Sequence, residues 1–66
     1  MQIIVNGSAR EVGENSTVAD LIEQLALNGR RLAIEINTEL VPRSRFEHYR
    51  LSPGDRIEVI HAVGGG

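Results

Sequence analysis

The fold of this chain is decided by residues 2–25, which read QIIVNGSAREVGENSTVADLIEQL. The first half contains two short runs with β-branched residues, 2–5 and 9–12, on either side of Asn6-Gly7. This dipeptide is the strongest short-range signal for a two-residue β-hairpin turn. Because a two-stranded hairpin is marginally stable by itself, the second half of the stretch must supply something for it to pack against.

That second half changes to a helical spacing of apolar side chains. The residues at the i, i+3, i+4 and i+7 positions are Val18, Leu21, Ile22 and Leu25. Such a spacing places all four on one face of an α-helix. Thr17 followed by Asp20 fits a capping box and predicts the start of the helix, while Asn28-Gly29 predicts its left-handed end. The apolar face is expected to lie across one face of a sheet.

Two further strands are predicted after the helix. Residues 32–36 form an apolar run, Asn37-Thr38 form a tight turn, and residues 39–41 form a short returning strand. Pro42 cannot donate a hydrogen bond to a strand ladder, so it is expected to end that strand.

The last third of the chain predicts one helical turn and one strand. Ser44 and Glu47 repeat the capping-box spacing, which predicts a helical turn that holds Phe46 in the core. The sequence SPGD at 52–55 has Pro and Gly in the central positions of a type II turn. Residues 56–60 then predict the final strand.

The predicted order is hairpin, helix, two strands, helical turn and last strand. A lone helix among strands must bury its apolar face against one side of a sheet. If the last strand lies centrally beside the first and parallel to it, the arrangement is a β-grasp. We therefore predict an α+β, β-grasp (ubiquitin-like) fold with a mixed four- to five-stranded sheet, one main helix across one face and a short helical turn. We expect residues 1–63 to form its single domain.

Composition excludes several classes of function. The chain has 66 residues, a formal charge of −2, no cysteine, and one Tyr and one Phe as its aromatic residues. A domain of this size rarely supports a deep catalytic cleft. It has no basic surface or aromatic platform for nucleic acid, no thiolate chemistry, and no apolar run of membrane-spanning length. We expect a cytoplasmic, monomeric protein that binds neither nucleic acid nor a membrane.

The sequence ends with Gly64, Gly65 and Gly66 directly after the last apolar run. Three residues without Cβ atoms give a thin peptide that can enter a narrow site in another protein. We predict a flexible tail over 64–66 in which Gly66 is the reactive group. The alternative is an end that frays without any function, as termini commonly do.

Together these residues resemble the ubiquitin-like sulfur carriers, and among them the ThiS family of thiamine (thiazole) biosynthesis. The resemblance is nearly full length and rests on six segments: MQI at 1–3, TVADLI at 17–22, AIEIN at 33–37, VPR at 41–43, GDRIE at 54–58 and GG at 65–66. The Val-Pro-Arg segment most separates these carriers from those of molybdopterin synthesis.

The resemblance implies a protein co-substrate with no enzymatic activity of its own. An adenylating enzyme of the ThiF type would join Gly66 to AMP using ATP and Mg²⁺. A cysteine desulfurase or sulfur relay would convert Gly66 into a thiocarboxylate (1-thioglycine), and thiazole synthase (ThiG) would receive the sulfur. The chain has no phosphate-binding glycine loop, so no cofactor is expected on the chain itself and the ATP site is expected on the partner.

A partner-docking face is predicted from the alternation of the last strand. Ile60 and Ala62 fall on the face opposite the presumed core residues Ile57 and Val59. Apolar residues on an outer face suggest a docking surface.

The two histidines and three of the arginines are not assigned a catalytic role. His48 and His61 have no neighbouring metal-ligand pattern, so no metal site is expected. Arg43, Arg45 and Arg50 are interpreted as a solvated group, with contact to an acidic partner surface as the alternative. The competing functions are a molybdopterin-synthase-type sulfur carrier, a ubiquitin-like modifier and a β-grasp binding module without tail chemistry.

Overall fold

Residues 1–61 are described by the computed structural model, and residues 62–66 lie outside it. The elements in chain order are β1 (Gln2–Val5), β2 (Ser8–Glu11), α1 (Val18–Gln24), β3 (Leu32–Ile36), β4 (Glu39–Val41), a 3₁₀ turn (Arg43–Arg45) and β5 (Arg56–His61). No helix in this described part is both long and apolar enough to cross a bilayer.

Within residues 1–61 the strands form one mixed sheet in the order β2-β1-β5-β3-β4. The central strand β5 runs parallel to β1, with Ile4 opposite Arg56 and Val5 opposite Ile57. It runs antiparallel to β3. Parallel neighbours need a crossover connection, and α1 lies in the segment between β1 and β5. The predicted β-grasp fold is confirmed.

The first hairpin turns at Asn6-Gly7 as predicted. Asn6 and Gly7 both have positive φ, 49° and 85°, which is the pattern of a type I′ turn. The second strand begins one residue earlier than predicted, at Ser8, because a two-residue loop makes Val5 pair directly with Ser8.

Helix α1 begins with the predicted capping box. The Asp20 amide donates to Thr17 Oγ1 at 3.2 Å, and the Thr17 amide donates to Asp20 Oδ2 at 2.9 Å. Further donors of the first turn find partners in the distant loop, since the Val18 amide bonds the Tyr49 carbonyl and the Ala19 amide bonds the Phe46 carbonyl. The start of the helix is therefore held both by its own capping box and by hydrogen bonds to the loop at 46–49.

The predicted end of the helix at Asn28-Gly29 is wrong. The helix ends at Gln24, and Ala26 takes the left-handed conformation with φ of 59°. The Ala26 amide bonds the Glu23 carbonyl and the Leu27 amide bonds the Ile22 carbonyl, which is the Schellman pattern. Leu27 and Ile22 also line one cavity. This pairing ends the helix before Gly29 is reached.

The second predicted capping box, at Ser44 and Glu47, is also wrong. The turn is a 3₁₀ helix over Arg43–Arg45, with Pro42 at its N-cap and no side-chain capping bond. The Arg45 amide donates to the Pro42 carbonyl at 2.9 Å, so the turn begins at the proline and Ser44 lies inside it. Phe46 is buried, as predicted.

The core lies between α1 and one face of the sheet. Its buried apolar members are Ile3, Val5, Val12, Val18, Leu21, Ile22, Ile34, Ile36, Val41, Phe46, Leu51, Ile57 and Val59.

The type II turn before β5 is confirmed, because Gly54 has φ of 82° and the Asp55 amide bonds the Ser52 carbonyl. The last strand is thereby placed in the middle of the sheet, with one face in the core and one face outward.

Candidate docking surface on the outer face of the sheet

The central strand β5 separates core side chains from outward side chains. Ile57 and Val59 are buried, whereas Arg56, Glu58 and Ile60 lie on the outer face. Side chains alternate along a strand, so this assignment follows directly from the burial of Ile57. The alternation predicted for these positions is confirmed.

Two further apolar side chains lie on the same outer face as Ile60, one on β3 and one on β4. Ile60 is 46% exposed and pairs with Ala33 of β3, which is half-buried. Leu40 of β4 is 67% exposed and pairs with Glu35, one position along the same outer face. We call Ile60, Ala33 and Leu40 the outer patch. Ile60 and Leu40 are the two large hydrophobic residues that residues 1–61 leave exposed.

Two carboxylates border the outer patch. Glu35 and Glu58 stand directly opposite each other in the β3–β5 register. Like charges in this arrangement repel each other. Within the described residues the ion pairs that occur join the Met1 amino group to Glu11 and Glu14, so neither Glu35 nor Glu58 has a direct ion-pair partner there. Arg56 lines the same outer-face cavity as both glutamates. The apolar surface is therefore bordered by two carboxylates with one arginine nearby.

The positions predicted from the sequence fall into two groups. Ile60 is located on the outer face, as described. Ala62, Gly64, Gly65 and Gly66 lie outside the described residues, so their predicted roles in docking and in sulfur chemistry stay predictions.

Two members of the outer patch were missed from the sequence. Val41 is buried in β4, and alternation then turns Leu40 outward. That signal was present in the Glu39–Val41 strand. Ala33 carries no signal of its own, because its place beside Ile60 depends on the pairing of β3 with β5.

An open cavity of about 430 Å³ lies on the helix side of the sheet, away from the outer patch. Its apolar walls include Ile22, Leu27 and Phe46, and Arg43 at its edge donates from Nη2 to the Arg30 carbonyl at 3.1 Å.

The two histidines, His48 and His61, are exposed. In the part of the chain that the structure describes, no group of three or more His, Cys, Asp or Glu residues is arranged to hold a metal ion.

The chain is similar in sequence to known proteins. The family model described as "ThiS family" matches residues 3–66. The chain is 33% identical to the sulfur carrier protein ThiS of Escherichia coli, over the whole of both chains. It is also 33% identical to a thiazole synthase of Paramagnetospirillum magneticum, but it spans a fifth of the length of that protein.

Among solved structures, the fold is similar to the crystal structure of the thiamine biosynthesis protein ThiS from Geobacter metallireducens. The TM-score is 0.86, the sequence identity is 29%, and both chains are covered completely.

Proposed function

The chain belongs to the ThiS family, and from this we propose that it is a sulfur carrier in thiamine biosynthesis whose Gly66 carries the sulfur. The observation that supports the proposal most is the extent of the family match, which includes Gly64, Gly65 and Gly66. A tail without side chains at the end of a central strand suits delivery of a carboxylate into a narrow active site.

The first proposed step is adenylation by an enzyme of the ThiF type. A Gly66 carboxylate oxygen attacks the α-phosphorus of ATP, the bond from that phosphorus to the pyrophosphate breaks, and pyrophosphate leaves. The product is a mixed anhydride between Gly66 and AMP. The adenylating partner supplies the ATP and Mg²⁺ sites, and this chain contributes the carboxylate.

The second proposed step replaces AMP with sulfur. A donor at the oxidation level of sulfide, HS⁻, attacks the Gly66 carbonyl carbon, the bond to the AMP oxygen breaks, and AMP leaves with the electron pair. Loss of one proton gives the thiocarboxylate. We propose a cysteine desulfurase or sulfur relay as the source of this sulfur. A desulfurase holds the sulfur as a persulfide, so a thiolate from a second protein or a small thiol must attack the inner sulfur, which forms a disulfide and releases HS⁻. A thiazole synthase of the ThiG type is the proposed acceptor.

The similarity to thiazole synthases supports that acceptor. Two of them, from Paramagnetospirillum magneticum and Magnetococcus marinus, each match the whole of this chain over a fifth of their own length. A carrier-like segment is therefore present in proteins named for thiazole formation, which favours thiazole formation over molybdopterin synthesis.

The outer patch is the proposed docking surface for these enzymes. Ile60 and Leu40 supply apolar area that docking would remove from water, while Glu35 and Glu58 border it. A partner with a basic side chain opposite the two glutamates would relieve their repulsion. We further propose that the chain is a co-substrate without enzymatic activity. We propose the cytoplasm as the place where it acts.

The proposal is tested by the adenylation step alone. The chain, a ThiF-type enzyme, ATP and Mg²⁺ are expected to exchange labelled pyrophosphate into ATP. The matched control is the same chain with one alanine added after Gly66, which keeps the folded domain but moves the carboxylate by one residue. We expect exchange with the first and none with the second. Equal exchange with both chains, or none with either by an enzyme active on an established carrier, would overturn the proposal.

A further inference from the structure

We propose that Asn6 is a positioning residue, which holds the end of β5 in the sheet and so presents the outer patch to the adenylating enzyme. The expected effect on the adenylating enzyme rests on the proposed function. The hold on β5 is a property of the folded domain and can be measured separately.

Strand β5 is paired unequally on its two sides. On the β3 side the register continues to the last residue, with Leu32 opposite His61. On the β1 side it stops at Val5 opposite Ile57, because the chain turns at Asn6-Gly7. The residues of β5 beyond Ile57 would then lack a backbone partner on that side.

Asn6 fills this position with two hydrogen bonds. Its amide donates to the Ile57 carbonyl at 2.9 Å, and its Oδ1 accepts from the Val59 amide at 2.8 Å. In a parallel ladder the second bond would go to the backbone carbonyl of Asn6. The turn diverts that carbonyl, and the side-chain oxygen takes its place.

The residue type fits both demands. Asn6 has φ of 49°, in the left-handed region that Gly, Asn and Asp tolerate best. Of these, only Asn and Asp also carry an acceptor oxygen. Val59 is the last buried residue of β5, and Ile60 of the outer patch follows it directly. The bond therefore lies where the strand changes from core to docking surface.

Loss of the bond leaves the end of β5 held by β3 alone. An enzyme that binds the outer patch must then order this segment as it binds, which lowers affinity. The reacting carboxylate is chemically unchanged once bound. We therefore expect the KM for the chain to rise while kcat stays the same.

The fold contains a matched control at the opposite end of β5. Asn37 has φ of 51° in the turn between β3 and β4, and its Oδ1 accepts from the Arg56 amide at 3.0 Å. Asn37→Gly thus removes the same kind of bond to the same strand at its opposite end, together with the bond that Asn37 Nδ2 donates to Asp55 Oδ1 at 3.0 Å. Asn6→Gly keeps the turn conformation without the acceptor, and Asn6→Asp keeps both.

The experiment compares Asn6→Gly, Asn6→Asp and Asn37→Gly with the original chain. Amide hydrogen exchange is measured by NMR, and kcat and KM are measured by pyrophosphate exchange. Thermal unfolding midpoints show how much each substitution changes the stability of the folded chain. For Asn6→Gly we expect faster Val59 exchange and a higher KM, each by about five- to tenfold, as for the loss of one ordinary hydrogen bond. Asn6→Asp and Asn37→Gly should leave the KM near its original value.

Unchanged Val59 exchange in Asn6→Gly would overturn the hold on β5. An equal rise in KM for Asn6→Gly and Asn37→Gly would show a general stability effect and overturn the positioning role. If the original chain is not adenylated, the proposed function fails, and Val59 exchange still decides whether Asn6 holds the strand.

Discussion

Truncation of Ile60 is the sharpest test of the outer patch. Ile60 is 46% exposed in the free protein, and its Cα partner across the sheet is Ala33. The change Ile60→Ala removes apolar area that a docked partner would cover, while the backbone of β5 and its pairing stay in place. We expect weaker docking with an unchanged chemical step.

The size of the effect follows from that exposure. Complete burial of an isoleucine side chain contributes about 1.5–3 kcal/mol. Since 46% of Ile60 is still exposed, docking can gain about half of that range. Alanine retains part of this, so the loss is about 0.5–1 kcal/mol, or a two- to fivefold rise in KM. Leu40, 67% exposed, should lose slightly more when changed to alanine, and the double variant about tenfold or more.

The assay is pyrophosphate exchange over a range of carrier concentrations, with kcat and KM determined separately. Leu27→Ala is the control, because Leu27 is also a partly buried aliphatic residue but lines the cavity on the helix side. It should lower thermal stability without raising KM. Unchanged KM for both Ile60→Ala and Leu40→Ala, or an equal rise for Leu27→Ala, would refute the assignment of the docking surface.

Three predictions concern the stability of the free protein. Ala26→Gly should raise the free energy of unfolding by about 0.5–1 kcal/mol in urea titrations, since a non-glycine residue in the left-handed conformation is strained; a loss of stability would contradict the Schellman ending of α1. Thr38→Gly should stabilise by a similar amount, because Thr38 is β-branched with φ of 73°, and an unchanged unfolding midpoint would contradict this. Glu35→Gln should raise the midpoint at low salt by relieving repulsion from Glu58, and a gain that persists at high salt would argue against an electrostatic cause.

Three local signals predicted the local structure correctly. The Asn6-Gly7 turn, the capping box of Thr17 and Asp20, and the turn at Gly54 each depend on residues within four positions of one another. Their alternation with apolar runs was sufficient for the β-grasp fold.

The wrong predictions arose where two local signals competed. Gly29 is a good helix terminator, but the pairing of Leu27 with Ile22 ends the helix earlier and places Ala26 in the left-handed region. At the 3₁₀ turn, Pro42 begins the structure before Ser44 can act as a cap. Apolar packing and a fixed proline φ prevailed over the polar signals.

The residues of the candidate site that could not be predicted from the sequence depend on long-range contacts. Ala33 joins Ile60 only through the β3–β5 register, and Asn6 bonds Val59 across 53 positions of sequence. Neither pair lies within a short stretch of sequence, so local patterns could not reveal it. The outward direction of Ile60, by contrast, follows from alternation within one strand.

The sulfur-carrier function is tested by the intact mass of the chain after incubation with a ThiF-type enzyme, ATP, Mg²⁺ and a sulfide source. We expect a gain equal to the replacement of one oxygen by sulfur, localised to Gly66 by fragmentation and absent from the chain extended by one alanine. No gain under conditions that convert an established carrier, or a gain located elsewhere in the chain, would contradict it.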